Sequence, residues 1–422
     1  MHRLAEICER IAATTKKIEK TAIVAEYFRS RDLRDAVISA VFLSGRAFPA
    51  FDERTLQIGG ALLWKLVVEL AGTSKSPGES AEKQIPRGLN STPTSAKTAL
   101  VGGPGSPARD DKSSKGLGRG PEGPLYPTVS EVKRKEKIDL EAGTYRRINE
   151  AALSTAYRKR GDLGAAAADV LAATAPASST ITLEEVRSTF DRIAETRTAT
   201  AKTAALKSLL DRATALEAKY ILKIITGELR IGLKESLVEE AIAKAYDEPL
   251  DRVQRANMLL GDIGGTLQLA AEHRLDQARM RLFHPIGFML ASPAADAEEA
   301  FQYFEHALVE DKYDGIRAQA HCGGGQVRLF SRTLDEVTPA FPELIGGLSE
   351  LAGEVILDGE IVPWRDNPDG GHAMPFSEIQ KRLGRKQVSQ KMMAEVPVAY
   401  VVFDVIYAGG ELTLDKPLTE RA

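Results

Sequence analysis

The sequence predicts a multidomain chain in which an all-α half, interrupted by a low-complexity segment, precedes an α+β half. Three observations carry that expectation. Apolar residues recur at helical spacing through residues 3–70 and again from near Leu140 onward. Between these stretches, from Gly72 to about Val129, Gly, Pro, Ser, Thr and Lys dominate, as in Val101-Gly102-Gly103-Pro104-Gly105-Ser106-Pro107. Such a composition cannot bury enough apolar area to offset its chain entropy. Beyond His284-Pro285-Ile286-Gly287-Phe288 the long periodic runs give way to short apolar runs divided by turn residues. The boundaries drawn are a first helical part at 1–70, a disordered insertion at 71–135, the rest of the helical domain at 136–283 and an α+β domain at 284–422.

Residues 3–30 read as helix, because Leu4, Ile7, Ile11 and Ile18 recur at helical spacing and Ile23, Val24, Tyr27 and Phe28 continue the apolar face. A second helical block covers Arg34 to Phe42, and Ser44–Pro49 is a loop. A third block runs from about Asp52 to Leu70. After the insertion, Asp162 is an expected N-cap, and Thr182-Leu183-Glu184-Glu185 has capping-box spacing. A basic helical stretch follows from Lys202 to Lys219, then a helix from Ser236 to Tyr246. Gly261-Asp262-Ile263-Gly264-Gly265 echoes Gly161-Asp162-Leu163-Gly164. In the second half the expected strands are Ala307–Val309, Arg317–Ala320, Gln326–Phe330, Val355–Leu357, Glu360–Pro363 and Val398–Tyr407. Gly323-Gly324-Gly325 reads as a hairpin turn and Phe376–Leu383 as a helix.

Bulk numbers narrow the partners. The net charge of -3 over 422 residues means that a nucleic acid would have to be held by local basic patches. Two cysteines, Cys8 and Cys322, offer neither a disulfide framework nor zinc-ribbon spacing. The charged N-terminus lacks the apolar region of a signal peptide, and no apolar run approaches a membrane span. The expectation from these numbers is a soluble, cytoplasmic protein with no membrane partner.

The chemistry centres on Lys312, in Glu310-Asp311-Lys312-Tyr313-Asp314-Gly315-Ile316-Arg317. An amine must lose its proton before it attacks, and burial or a neighbouring cation lowers its pKa. A lysine beside an Asp-Gly turn signal and between strand-like runs is placed for that role, although Lys-x-Asp-Gly alone also fits a surface lysine. Other groups follow near expected strand ends: Arg332 in Phe330-Ser331-Arg332, the carboxylates of Leu357-Asp358-Gly359-Glu360, and Phe403-Asp404 within Tyr400–Tyr407. A lysine, two arginines, several acids and an aromatic suit a nucleotide, whose base can stack and whose phosphates match guanidinium forks.

In that order these motifs resemble the covalent nucleotidyltransferases, and among them the ATP-dependent DNA ligases. Lys312-Tyr313-Asp314-Gly315-Ile316-Arg317, Phe330-Ser331-Arg332, Leu357–Val362 and Phe403–Tyr407 carry the likeness in the second half. In the helical half it is carried by Phe42–Arg46, Asp52–Gln57, Gly161–Gly164 and Leu229–Leu233. The resemblance implies an all-α DNA-binding domain followed by an α+β adenylation domain, in a monomer associated with the nucleoid if the source is prokaryotic. It implies that Lys312 takes AMP from ATP, that AMP passes to a 5′-phosphate at a nick in double-stranded DNA, and that Mg2+ assists. Glu310 would then meet the adenine, and Arg317 and Arg332 the ribose and phosphates. Glu360 would meet the ribose or the metal, and Phe403 the base. Read without the family, Glu360 also fits a plain ion pair and Phe403 core packing. Arg46, Arg230 and Lys234 are candidate phosphate contacts or, equally, helix caps and solvated cations.

The family also has a Glu-Gly motif leading to a lysine, a Lys-x-Lys strand and an OB-fold domain. None of them is found between Glu360 and Ala422. The expectation is therefore a truncated adenylation domain without its OB-fold, which self-adenylates poorly or not at all. The alternatives are a non-catalytic DNA-binding remnant and another Lys-x-Asp-Gly enzyme such as an RNA-capping guanylyltransferase.

Overall fold

A computed structural model describes residues 1–72 and 146–421, apart from 305, 369, 384 and 386. The expected insertion at 71–135 lies outside the described residues except for its first two positions.

The helical half begins with α1 (His2–Ala12), α2 (Lys17–Arg29) and α3 (Leu33–Leu43). The single helix expected over 3–30 is broken at residues 13–16. There the Thr14 hydroxyl accepts the Lys16 N–H at 3.2 Å and donates to Glu19 at 2.6 Å, so local side-chain bonds replace the helical ladder. Ile18, assigned to the apolar face, is 83% exposed. The block expected from Asp52 becomes helical only at α4 (Gly60–Gly72). Before it, the Asp52 carboxylate holds the Arg54 backbone and guanidinium, and the Leu56 carbonyl accepts from buried Lys202 at 2.8 Å. Tertiary partners thus take the backbone groups that a helix would have used.

Beyond the insertion come α5 (residues 146–160), α6 (Leu163–Leu171), α7 (Leu183–Glu195), α8 (Ala199–Leu210) and α9 (Ala215–Thr226). The half ends with α10 (Glu235–Tyr246), α11 (Leu250–Leu260) and α12 (Ile263–Ala271). One apolar core runs through these helices and includes Phe28, Phe42, Phe190, Tyr220 and Leu267. Asp162 caps α6 as expected, accepting the Ala165 N–H at 2.7 Å, and Asp262 caps α12 in the same way through Gly264. Thr182 makes one arm of its capping box, to the Glu185 N–H. The reciprocal box forms at Thr214 and Glu217, with bonds of 2.9 and 3.2 Å. The basic stretch 202–219 is two helices, and its Lys202 is buried on the Leu56 carbonyl.

The second half is built on an antiparallel sheet. Its strands are β1 (Ile316–Gly323), β2 (Gln326–Ser331), β3 (Val355–Arg365), β4 (His372–Ala373), β5 (Val398–Ala408) and β6 (Glu411–Leu412). The order is β2-β1-β3-β5-β6, with β4 paired to β3. Gly324 and Gly325, at φ of +57° and +75°, make the expected two-residue hairpin turn between β1 and β2. The two strands expected at Val355–Leu357 and Glu360–Pro363 are one strand, β3. Asp358-Gly359 therefore lies inside β3 rather than at a strand end. Gly359 is needed there because a Cβ would meet the Tyr400 ring at 2.8 Å, and the Tyr400 hydroxyl crosses to the Ala318 carbonyl at 2.8 Å. The helix expected over Phe376–Leu383 is shorter, α15 (Phe376–Gln380). The small helices around it are α13 (Ala297–Phe301), α14 (Leu344–Ser349), α16 (Gln390–Glu395) and α17 (Leu418–Arg421). The strand expected at Ala307–Val309 does not form. That segment is irregular, and Val309 is 83% exposed.

Alternation along β1 divides the sheet. Ala318, Ala320 and Cys322 face a core completed by Leu329, Phe341, Leu357, Ile361 and Ile379. Arg317, Gln319 and His321 face the other way. Over Gln319 and His321 runs the linker 279–290, whose Ile286 packs with Ile356 and Ile406 of the sheet and with Met258 of α11. Among the described residues no helix is long and apolar enough to cross a membrane.

Candidate active site

The linker covers only part of the polar face, and the uncovered end of the sheet carries most of the residues singled out above. Arg317 of β1 pairs in register with Glu360 of β3, and Gln319 with Asp358. On β5 the register slips so that Asp358 faces Asp404 while Gly359 faces Val402, which leaves Phe403 as the extra residue of a β-bulge. A bulge re-aims its side chain. The Phe403 ring here lies 5.5 Å from the Arg317 guanidinium, which also sits 5.0 Å from the Phe288 ring of the linker.

Arg317 is held on three sides. Its Nε and Nη2 donate to the two Asp358 oxygens at 3.1 and 2.7 Å, and Nη1 donates to the Met289 carbonyl at 2.7 Å. The hydrogen bond to Asp358 raises the arginine pKa further. Asp358 is buried, and burial pushes its carboxyl upward while the guanidinium opposes the shift. Glu360 accepts the Gly315 N–H at 3.1 Å. Its pKa is raised chiefly by burial, against the pull of that bond and of the charges on Arg317 and Lys312. Gly315 is glycine for a steric reason, because a Cβ there would run into the Ile361 carbonyl. The Asp314-Gly315 pair, read as a turn signal, is the place where the chain enters β1 pressed against β3.

Lys312 stands on the irregular segment just before that entry. It is exposed, without a hydrogen bond or ion pair among the described residues. The expected holding of this lysine between two strands is thus not found, because residues 307–309 form no strand. Its neighbour Tyr313 packs edge-on to Trp364 of β3 at 6.4 Å. Glu310 is exposed on the same segment. Arg332 is exposed in the turn after β2 and follows Ser331, which pairs with Ala318, so it lies at the same end of the sheet. The structure thus brings Arg317, Glu360 and Phe403 together near Lys312, and makes no contact from Glu310 or Arg332 to them. Phe288 entered the sequence reading only as part of the boundary between the halves, with no role at the site. Asp358 was read only as one of a carboxylate pair. Its signal was the strand alternation that sets Asp358 and Glu360 on one face.

The motif loops of the helical half also meet. Lys223 is buried between the Asp162 carboxylate at 3.0 Å and the Leu229 carbonyl at 3.1 Å. Arg230, at φ +49°, donates to the Gly161 carbonyl at 2.7 Å and pairs with Glu228 at 2.6 Å. Arg46 and Lys234 are exposed, Lys234 at the N-cap position of α10.

The model of the DNA ligase N terminus matches residues 1–243, and that of the ATP dependent DNA ligase domain matches residues 288–422. The chain belongs to the ATP-dependent DNA ligase family. A probable DNA ligase of Koribacter versatilis is 50% identical over 422 residues, which is 100% of this chain and 60% of that protein. A probable DNA ligase of Opitutus terrae is 33% identical over 99% of this chain and 40% of its own length. A DNA ligase of Archaeoglobus fulgidus is 28% identical over 99% and 63%. The chain therefore spans between 40% and 63% of these relatives. The first match ends within α10 and the second begins at Phe288, so α11, α12 and most of the linker lie between them.

Among the described residues no group of three or more His, Cys, Asp and Glu side chains converges as a metal site. Asp358 is tied to Arg317 and Asp404 to Arg421, which leaves Glu360 as the carboxylate of these three without an arginine partner. A single such carboxylate suits a magnesium ion that takes most of its oxygen ligands from phosphates and water.

Proposed function

We propose that this chain carries the DNA-gripping and nucleotide-binding parts of an ATP-dependent DNA ligase, with Lys312 as the AMP acceptor. The observation that carries the reading is the fastening of Glu360 to the Gly315 backbone beside Lys312, with Arg317 fixed on Asp358 across the same sheet end. In this reading the Lys312 amine, having lost a proton, attacks the α-phosphorus of ATP. A nitrogen–phosphorus bond forms, the bond to the β-phosphate oxygen breaks, and pyrophosphate leaves. AMP then passes to a 5′-phosphate at a nick, and the adjacent 3′-hydroxyl displaces it. Glu360 and Arg317 orient the ribose and phosphates, Phe403 offers a ring face to the base, and Glu310 and Arg332 contribute from the exposed rim. Magnesium, when bound near Glu360, neutralises charge on the phosphates.

The helical half, 1–70 with 136–283, holds duplex DNA through phosphate contacts that need no base readout. Arg46 and Lys234 are exposed and can reach phosphates, and Arg230 ties its own loop to the Gly161 carbonyl.

Incubation with ATP labelled on the α-phosphate and magnesium tests this reading. Label should be retained through denaturation and should depend on ATP rather than GTP. Preference for GTP would favour an RNA-capping activity. A chain that binds nicked DNA but never takes label would be the non-catalytic remnant.

A further inference from the structure

Gln319 is fully buried on the polar face of β1, yet no motif role falls to it. Its amide spends both poles on one linker residue: Oε1 accepts the Ile286 N–H at 3.0 Å, and Nε2 donates to the Ile286 carbonyl at 2.7 Å. His321 sets that orientation. Its Nδ1 accepts the Phe283 N–H at 3.1 Å, so the ring proton sits on Nε2 and points at Gln319 Oε1 at 3.3 Å. The next residue of the linker reaches the helical half, where the Gly287 N–H donates to the Met258 carbonyl of α11 at 3.1 Å. The two residues after that meet Arg317, Phe288 through its ring and Met289 through its carbonyl.

We propose that Gln319 is a positioning residue of the nucleotide site. It pins the linker so that Phe288 and Met289 hold the Arg317 guanidinium against Asp358, and so ties the placement of Arg317 to the seating of the helical half. This rests on the reading of Lys312 as the AMP acceptor. Glutamate at 319 keeps the acceptor for the Ile286 N–H but sets an oxygen against the Ile286 carbonyl. Phe288→Ala removes the ring from Arg317 while leaving Gln319 and its two bonds in place.

The test is the ATP dependence of Lys312 labelling in the full chain for wild type, Gln319→Glu and Phe288→Ala, with thermal unfolding measured in parallel. The expected result is a KM for ATP raised about tenfold in both variants, with a limiting rate within about twofold of wild type. A purely structural role would lower the unfolding temperature and the yield of active chain without moving KM. If Gln319→Glu does not fold, Gln319→Met takes its place beside Phe288→Ala: a raised KM in both supports the proposal and an unchanged KM in either overturns it. Wild-type chain that takes no label would overturn the Lys312 reading and this inference with it. Labelled wild type with unchanged KM in the variants overturns the inference only.

Discussion

The backbone N–H of Gly315 donates to the carboxylate of Glu360 at 3.1 Å, fastening the chain just past Lys312 to the middle of β3. That contact depends on the absence of a side chain at 315, since a Cβ would meet the Ile361 carbonyl. Gly315→Ala should therefore lever the Lys312 segment away from β3. A loss of about 2 kcal/mol is expected from overpacking, read in denaturant unfolding of the chain. Lysine labelling should fall more than the stability change accounts for.

Arg317 and Asp358 form the second fixed point, and here the charge itself matters. The Asp358 side chain is 8% exposed, so Arg317→Ala strands a buried carboxylate. About 3 kcal/mol of stability should be lost. Arg317→Lys should recover part of the stability but not ATP binding, because an ammonium cannot span both Asp358 oxygens and the Met289 carbonyl. Equilibrium unfolding and ATP titration separate the two effects.

How much of this was legible beforehand follows from particular residues. The helical-then-α+β order, the Asp162 cap and the glycine hairpin were readable, because each depends on local periodicity or on a turn that only certain residues adopt. The β3 strand was split in two because Asp358-Gly359 looks like a turn. Its glycine answers a distant tyrosine, Tyr400, which no local window contains. The same holds for Gly315 and Ile361. Lys312 was expected between strands, but the residues before it find no pairing partner among the described residues and it stands exposed. Lys202 was read within a basic helical stretch ending at Lys219, yet it is buried on a loop carbonyl that the fold brings to it, as is Lys223 just beyond that stretch. The Arg317-Gln319-His321 alternation was visible in the sequence. Its meaning required the linker that lies over it.

His321 should make the chain sensitive to mild acid. Burial drives its pKa down from 6.5 to about 3, and its Nδ1 must stay unprotonated to accept the Phe283 N–H. Because the folded value lies below the unfolded one, the unfolded chain takes the proton first. Stability is full above about pH 6.5 and is lost progressively as pH falls toward the folded value. Burial lowers His284 in the same direction. The carboxylates with lowered pKa, such as Glu9 and Glu336, act further down, below their ordinary values. Unfolding midpoints taken from about pH 7 to about pH 5 should decline, and His321→Asn should flatten that decline. An equal decline in the variant would remove His321 from the account.

Asp162 joins two loops of the helical half through one carboxylate, capping α6 and neutralising buried Lys223. Asp162→Ala should cost about 3 kcal/mol, most of it from the stranded lysine. If the joined loops present phosphate contacts, binding to nicked duplex should weaken equally across sequences, with a shallower salt dependence. Fluorescence anisotropy at several salt concentrations would show this.

Lys312 as the covalent AMP acceptor is the central claim, and locating the label tests it most directly. The full chain is incubated with magnesium and ATP labelled on the α-phosphate, digested and mapped by mass spectrometry, beside Lys312→Arg. The account predicts AMP on the peptide that carries Lys312 and none on the variant, whose fold is intact by unfolding. AMP on another lysine, or equal label on Lys312→Arg, would contradict it.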